Sequence, residues 1–430
     1  MATHLKTLPQ AGRALSDAAR IAHLAEQTAL ANAQRWFTRE RGWINDQQLQ
    51  ICRIPAPTFF ERQRADWLRT QLEGIGWSAK LDRAGNVLAT FGSGDGPRPL
   101  VVSAHLDTVF APGKPEDVYY SPDGRLLGPG VSDNGCGLAA LLALARVLGE
   151  IAGLAELAAS VLLVANVGEE GEGNLSGMRF LCRHFPQITE VKGFIVLDGP
   201  STDHITALAL ASRRYEVAFS GPGGHSWNDS GTPNPVHALG DVVSSFVAAA
   251  EARTSERRVR CSYNFGIVEG GSSINSIPAS ARAKLDLRSE DPVVLDDLAT
   301  VLNSCVERAL ERENRSARNA RLSAKIKDLG ARPGGKLDEQ SPLLKAVQAV
   351  DAYLNIRSRV DCASTDANVP LSLGLPAVSI GAGGDGGGAH TNAEWYQPDG
   401  RDIGLKRILL TLAALTTQPE RFETEPSGKA

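Results

Sequence analysis

The stretch that decides the fold of this chain is residues 100–108, which read LVVSAHLDT. Short apolar runs rich in Val and Leu are typical of buried strands in α/β sheets. This run ends at His105 and Asp107, and such sheets bind ligands beyond the carboxyl ends of their strands. Residues i and i+2 of a strand share a face, so the Asp107 carboxylate is placed to reach the far ring nitrogen of His105. It would then fix the tautomer of a metal-binding imidazole.

The composition is that of a globular enzyme-sized chain with no affinity for polyanions. The chain has 430 residues, 42% hydrophobic and 22% charged, which favours two domains. A net charge of −4 provides no field that would bind nucleic acid or an anionic membrane. The first 30 residues lack an unbroken apolar segment, and the six cysteines form no CxxC pair. We therefore expect reduced thiols and a cytoplasmic location.

The order of elements predicts an α/β domain interrupted by a smaller one. Residues 11–50 have the spacing of one or two helices, and Thr58 with Glu61 resembles a capping box for a helix ending at Leu72. From residue 207 we predict strand 207–219, helix 234–253, strands 259–268 and 279–288, helix 293–313 and strand 321–329. That order is the split ferredoxin-like unit. The predicted domains are residues 1–206 and 333–430, which form the catalytic domain, and residues 207–332, which are inserted between them.

Four further segments, each predicted at a strand end, supply metal-ligand side chains. They contribute Asp133, the pair Glu169-Glu170, Asp198 and His390. Two imidazoles with several carboxylates suit Zn²⁺, with Co²⁺ or Mn²⁺ as alternatives, and the absence of cysteine argues against a structural zinc site. The sequence therefore predicts a catalytic metal site.

A pair of metal ions needs a shared ligand, and a carboxylate can bridge two ions. Asp133 lies in a tight glycine-flanked segment that would place it centrally. Glu169 and Glu170 are adjacent and therefore point different ways, so that one can bind metal while the other stays free beside the bridging water. A free glutamate can act as the general base that moves the proton of that water to the leaving nitrogen.

Six motifs in this order give the chain a family resemblance over nearly all of residues 50–415. They are HLDT, GVSDNGCG, NVGEEGEG, VLDG, GPGGHS and GAHTNAEW. The set resembles the M20 family of co-catalytic dinuclear metallopeptidases, which have an α/β/α catalytic domain and an inserted ferredoxin-like lid. The resemblance implies two ions per subunit, one held by His105, Asp133 and Asp198 and the other by Asp133, Glu170 and His390. It implies that Glu169 is the general base, that Asp107 orients His105, and that the bond between Asp133 and Asn134 is cis.

The inserted domain resembles the lid and dimerisation domain of the same family. His225, in GPGGHS, matches the histidine that in dimeric members reaches the active site of the partner to hold the developing oxyanion. Asn275 and Arg288 match lid positions that bind a substrate carbonyl and carboxylate. The resemblance thus implies a homodimer through the lid, although a histidine in a glycine loop can also simply shape a turn.

The resemblance favours cleavage of small peptides over other amide substrates. Aspartate at position 198 is typical of dipeptidase and tripeptidase branches, whereas glutamate occurs there in many deacylases. The segment STDAN at 364–368 also resembles peptidase-T-type members, although its Asp366 and Asn368 could either line the site or cap a helix. The alternatives are an N-acyl-amino-acid deacylase, a carboxypeptidase, or a catalytically silent metal-binding or interaction module.

Overall fold

The computed structural model describes residues 17–92, 100–255, 259–318 and 320–416. Within these residues the helices are α1 (Asp17–Glu26), α2 (Thr28–Arg39), α3 (Arg41–Cys52), α4 (Arg62–Gly74), α5 (Gly135–Glu150), α6 (Ala155–Ala159), α7 (Ser176–His184), α8 (Pro235–Ser255), α9 (Pro292–Ser316), α10 (Pro342–Leu354), α11 (Asn368–Ser372) and α12 (Arg401–Thr416). None of these described helices has the length and apolarity needed to cross a membrane.

Strands alternate with these helices along most of the chain. They are β1 (Ser78–Leu81), β2 (Val87–Thr90), β3 (Leu100–His105), β4 (Tyr119–Tyr120), β5 (Leu126–Leu127), β6 (Val161–Asn166), β7 (Phe194–Leu197), β8 (His204–Ala209), β9 (Ala211–Ser220), β10 (Gly224–His225), β11 (Cys261–Gly270), β12 (Ser276–Ile277), β13 (Ser280–Ser289), β14 (Ser323–Arg332), β15 (Gly335–Lys336), β16 (Arg359–Ala363), β17 (Ala377–Ile380), β18 (Asp385–Gly387) and β19 (Trp395–Gln397).

The large sheet has the order β1-β2-β6-β3-β7-β17-β8-β15, with β16 also paired to β8. Its centre is parallel, because β3 pairs in parallel with β6 and β7, and β17 pairs in parallel with β7. Every residue of β3 and β6 is buried, as expected for strands covered on both faces. The predicted α/β architecture is confirmed, and the carboxyl ends of β3, β6 and β7 lie at one edge of the sheet.

The second sheet has the order β11-β13-β9-β14 and is antiparallel throughout. Its apolar residues pack with those of α8 and α9 into a separate core that runs from Ala211 to Leu322 in sequence. The element order β9-α8-β11-β13-α9-β14 with this strand order is the ferredoxin-like arrangement that the sequence predicts. We refer to β9–β14 with α8 and α9 as the lid.

One predicted strand, 207–219, is wrong because the chain changes sheets inside it. β8 ends at Ala209 in the large sheet, Leu210 donates its N–H to the carbonyl of Ala363, and β9 begins at Ala211 in the lid. A continuous strand-like pattern does not reveal such a switch, because both halves have the period of a strand. The two connections between the domains therefore lie at Leu210 and Pro333.

The amino-terminal region also differs from its prediction. It forms three helices from Asp17 onward, and residues 11–16 of the predicted segment lie outside the described residues. The capping box is wrong, because α4 begins at Arg62 after Glu61 and has no side-chain cap. The Thr58 hydroxyl instead donates to the carboxylate of Asp107 at 3.0 Å. Thr58 is thus not a helix cap but a hydrogen-bond donor to Asp107, which follows the end of β3.

Candidate active site

Two groups of metal-ligand side chains meet at Asp133. Its Oδ1 lies 2.9 Å from Nε2 of His105, and its Oδ2 lies 3.1 Å from Nε2 of His390. Asp198 approaches His105 at 3.9 Å, and Glu170 lies 2.9 Å from His390. One carboxylate thus directs its two oxygens at two different imidazoles, which is the arrangement that a bridging ligand requires.

The turn that carries Asp133 is fixed by Glu394, a buried glutamate of the GAHTNAEW segment to which the sequence assigns no role. Asp133 is not at a strand end, as we expected, but in the turn before α5, and its bond to Asn134 is cis. Oε1 of Glu394 accepts hydrogen bonds from the N–H and hydroxyl of Ser132 and from the N–H of Asp133, at 2.7 to 2.8 Å. Its Oε2 accepts from the N–H of Gly130 at 2.7 Å. Glu394 therefore fixes this turn by accepting four hydrogen bonds, three from backbone N–H groups and one from a hydroxyl.

Asp198 directly follows β7 and is positioned by the glycine segment 381–388. The backbone of this segment bonds that of residues 199–201, with Ala382 donating to Gly199 at 2.9 Å. A Cβ on Gly381 would lie 2.0 Å from the carbonyl oxygen of Pro200, so only glycine permits this approach. The close neighbour of this glycine is thus the backbone of the chain that follows Asp198.

Asp107 has a different set of partners from the one predicted. Nδ1 of His105 lies 2.9 Å from the main-chain oxygen of Asp107 and 3.5 Å from its carboxylate, so the carbonyl is the closer acceptor. The carboxylate accepts from the N–H groups of Glu169 and Glu170 at 3.0 and 2.9 Å. Asp107 thus orients the imidazole through its backbone and fixes the glutamate pair through its side chain.

Glu169 has a cationic partner that the sequence reasoning missed. Nη1 of Arg332 donates to Oε1 of Glu169 at 2.8 Å, and both side chains are buried. Arg332 ends the lid strand β14 and lies 163 residues from Glu169 in sequence, so no local pattern could have identified the pair. A carboxylate oxygen of Glu169 lies within 4.8 Å of ligand atoms of His105 and Glu170. Distance alone would therefore admit Glu169 as a ligand, but the ion pair distinguishes it from the other carboxylates.

Burial and the mutual repulsion of neighbouring carboxylates together determine the electrostatics of the site. Burial, followed by the charges of Glu169 and Asp133, raises the pKa of Glu170 to about 7. Burial and the charge of Asp133 also raise the pKa of Asp198. The hydrogen bond to Asp133 is the main cause that raises the pKa of His390 to about 9. A cluster of this composition favours a bound cation, because a cation relieves the repulsion and accepts all the lone pairs.

The donor set fits a pair of divalent ions. His105 with Asp133 and Asp198 forms one group, and Asp133 with Glu170 and His390 forms the second, with all ligand atoms of each group within 4.8 Å of one another. Each group offers one imidazole nitrogen and carboxylate oxygens, which suit zinc and neighbouring divalent metals, and none offers a thiolate. The residues present are thus compatible with the predicted dinuclear centre.

The three lid residues predicted to bind substrate lie outside this cluster. Both His225, the last residue of β10, and Asn275, just before β12, are exposed, and the N–H of Ser226 donates to the carbonyl of Asn275. Arg288 is half-buried on β13 and donates to Asp286 at 2.8 Å. Among the described residues, no hydrogen bond or ion pair joins His225, Asn275 or Arg288 to the metal-ligand side chains.

The two polar residues of the 364–368 segment have separate roles. Asp366 is buried at the floor of the site and accepts a 2.6 Å hydrogen bond from Asn166, the last residue of β6. Burial, with a contribution from the charge of Glu169, raises the pKa of Asp366 to about 7. Asn368 is fully buried and donates to the carbonyls of Leu210 and Pro333, both at 2.9 Å. It therefore fixes both connections between the domains.

Comparison with known proteins places this geometry in a family. Residues 101–414 match the model of peptidase family M20/M25/M40. No curated protein sequence matches the chain significantly.

Several solved structures share the fold at low identity. Aminopeptidase PepT from Bacillus cereus is 17% identical with a TM-score of 0.67, over 87% of this chain and 98% of that one. An amidase of the hydantoinase/carbamoylase family from Burkholderia vietnamiensis is 17% identical with a TM-score of 0.65, over 87% and 97%. The Bacillus subtilis YXEP protein, a dinuclear metal-binding peptidase from the M20 family, is 15% identical with a TM-score of 0.64, over 89% and 100%. The chain belongs to peptidase family M20/M25/M40 and is a hydrolase.

Proposed function

We propose that this protein hydrolyses the amide bonds of small unblocked peptides, using two divalent metal ions. The observation that carries the proposal is the position of Asp133, whose two oxygens face His105 and His390, with the carboxylate of Glu169 beside them. His105, Asp133 and Asp198 would hold one ion, and Asp133, Glu170 and His390 the other. When bound, such a pair polarises the scissile carbonyl and lowers the pKa of the attacking water. Zinc is the metal that we expect.

Glu169 is the general base of the proposed reaction. Its Oε1 is held by Arg332, while Oε2 accepts no hydrogen bond from the described residues. The free oxygen would take the proton of the attacking water and return it to the leaving nitrogen. Asp107 would keep the glutamate pair in place through the two N–H groups that it accepts.

His225 is proposed to donate a hydrogen bond to the developing oxyanion. The N–H groups of Trp227 and Asn228 point at its Nδ1, at 3.2 and 3.3 Å, which makes Nδ1 the acceptor and leaves the proton of the neutral ring on Nε2. The outward nitrogen of this exposed ring is thereby prepared as a donor. Because no hydrogen bond or ion pair among the described residues joins it to the metal-ligand residues of its own chain, we propose that it acts on the site of a partner subunit.

Arg288 and Asn275 are proposed to bind the substrate carboxylate and carbonyl. The two-oxygen geometry of a peptide carboxyl terminus suits the fork of a guanidinium. On the neighbouring strand, Arg214 bonds Asp286 and donates to the carbonyl of Gly171, next to the glutamate pair. Arg288, which also bonds Asp286, therefore lies on the side of the lid that faces the site.

A homodimer through the lid completes the proposal. β11 is an edge strand of the lid sheet and exposes Ile267 and Val268. Exposed apolar edges are typical of strands that pair with another chain. A Val268→Lys variant should yield a monomer in light scattering and lose most of its activity. An active monomer would contradict the trans assignment of His225. We also propose a cytoplasmic location, in line with six unpaired cysteines.

The experiment that tests the activity is a hydrolysis screen of metal-loaded protein with and without a chelator. The substrates are free dipeptides and tripeptides beside N-acetyl and N-succinyl amino acids. We expect chelator-sensitive cleavage of the unblocked peptides. Cleavage of the acylated amino acids alone would assign the chain to the deacylases, and no turnover by protein with two bound ions would refute amide hydrolysis of either class.

Glu169→Gln tests the base assignment with the shape of the side chain preserved. The metal content should stay at two ions, while kcat should fall by about a thousandfold or more, because general base catalysis contributes about 10²–10⁴-fold. The matched control is Glu339→Gln, the same substitution at an exposed glutamate. A change at a buried position such as Gln47→Glu would not serve as a control. Turnover of Glu169→Gln near that of the wild type would refute the assignment.

A further inference from the structure

Arg332 is the only lid residue within the described chain whose side chain forms an ion pair with a residue of the candidate site. It ends β14 and is 9% exposed, so its guanidinium is removed from water. Nη1 donates to Oε1 of Glu169 at 2.8 Å and to the hydroxyl of Ser364 at 3.0 Å, and Nη2 donates to the main-chain oxygen of Glu169. One guanidinium thus holds both the side chain and the backbone of the same residue.

Arg288, at the corresponding position of another strand of the lid, lacks the contact with Glu169 that Arg332 makes. Arg332 on β14 and Arg288 on β13 both pair with Ser212 of β9, so the three side chains leave the same face of the sheet. Arg288 keeps 42% of its side chain exposed and bonds only Asp286 of its own strand. One arginine of this row is free to bind a substrate, whereas the other is already committed to Glu169.

Arg332 also lies directly beside one of the two connections between the domains. Pro333 follows it directly, and the carbonyls of Pro333 and Leu210, one on each connection between the domains, accept from the amide of Asn368. Arg179 of the catalytic domain donates to the carbonyl of Ala331 on the other side. The backbone on both sides of Arg332 is therefore fixed to the catalytic domain, which holds its guanidinium in place beside Glu169.

We propose that Arg332 is a positioning residue that holds Glu169 in the orientation required of a general base. The inference rests on the proposed function, because it assumes that Glu169 is the base. Arg332 anchors Oε1, which leaves Oε2 as the oxygen that exchanges the proton. An error of about 1 Å in the placement of such a group can cost about a hundredfold in rate. Arg332 does not bind substrate in this account.

The test compares Arg332→Met, Arg332→Lys and the exposed lid control Arg282→Met on a peptide substrate, with metal content measured for each. Arg332→Met should lower kcat about a hundredfold, because the base loses its anchor. Its KM should stay within about threefold of the wild-type value, and its metal content should stay at two ions. Arg332→Lys should restore part of this loss and remain about tenfold below the wild type, because an ammonium is a single point charge and not a fork. Arg282→Met should match the wild type.

Two further measurements separate the possible explanations. In the Glu169→Gln background, Arg332→Met should leave the calorimetric Kd for a dipeptide unchanged. A rise in KM or in that Kd with kcat preserved would instead make Arg332 a substrate ligand. If Arg332→Met does not fold, Arg332→Lys decides, and a wild-type kcat in that variant overturns the inference. If the single variant Glu169→Gln keeps wild-type activity, the proposed base is refuted. If Glu169→Gln is inactive but Arg332→Met is fully active, only the role of Arg332 is refuted.

Discussion

Glu394 gives the sharpest test of how this chain builds its metal site. Its carboxylate is 3% exposed and accepts four hydrogen bonds from the turn that carries Asp133. Glu394→Gln keeps the size and shape of the side chain and removes the charge and one acceptor. The variant therefore changes the support of Asp133 without changing a ligand.

The size of the effect follows from the separate roles of the two oxygens. The glutamine oxygen can keep the three donors of Ser132 and Asp133, but its NH₂ group then faces the N–H of Gly130, and one bond is lost. A buried donor left without an acceptor costs about 1–3 kcal/mol. Burial raises the pKa of Glu394, so loss of its buried charge offsets the weakening of the three remaining bonds. We expect the free energy of unfolding to fall by about 2 kcal/mol.

The effect on metal binding is the more specific result. Substitution of the group that supports a ligand typically lowers metal affinity by about 10–100-fold. Isothermal titration of the metal-free variant with zinc should show this loss for both ions, because Asp133 serves both. Glu339→Gln, at an exposed glutamate, should bind as the wild type does. Unchanged zinc affinity in a folded Glu394→Gln variant would refute the inference that the turn needs this carboxylate.

Three other predictions concern pH, the core and the lid. The affinity for zinc should rise from pH 6 to pH 9 with release of protons, because His390, with a pKa of about 9, must lose its proton to bind metal; a pH-independent affinity in calorimetry would contradict this. Arg407→Met should lower the free energy of unfolding by about 3–5 kcal/mol in denaturant titrations, because it leaves Asp351 charged and buried. Lys336→Met removes one partner of an exposed pair and should lower it by less than about 1 kcal/mol. Equal losses in the two variants would contradict the role of burial. Phe246→Ala should cost about 3–5 kcal/mol in the lid, where its ring lies edge-on to Tyr263 and Phe265; an unchanged melting temperature would show that this core is not cooperative.

The sequence was most informative where structure repeats over short distances. The apolar run that ends at His105 predicts β3, and the parallel order of the sheet brings the ends of β3, β6 and β7 together. That geometry points to His105, Asp198 and the pair Glu169-Glu170 as candidates, and the family resemblance assigns Glu170 as the ligand of the pair. The sequence also predicts Asp133 and His390 at strand ends, whereas in the structure Asp133 lies in the turn before α5 and His390 in a turn beyond β18.

The residues that the sequence could not identify act through distant contacts. Arg332 lies in none of the six motifs, and Glu394 lies in GAHTNAEW without any sign there of its role; their partners are 163 and 262 residues away. The Asp107 carboxylate also has donors that the sequence did not indicate, because Thr58, Glu169 and Glu170 donate to it at 2.9 to 3.0 Å, closer than the 3.5 Å to His105. Such pairings depend on how loops pack after the sheet forms, and local periodicity carries no information about them.

The central claim is that Asp133 joins two metal ions beside Glu169. An anomalous diffraction map from crystals of the zinc-loaded protein tests it most directly. The account predicts two peaks in each chain, about 3.5–4 Å apart, with one oxygen of Asp133 on each and Glu169 bound to neither. A single peak, or two peaks that do not share Asp133, would contradict it.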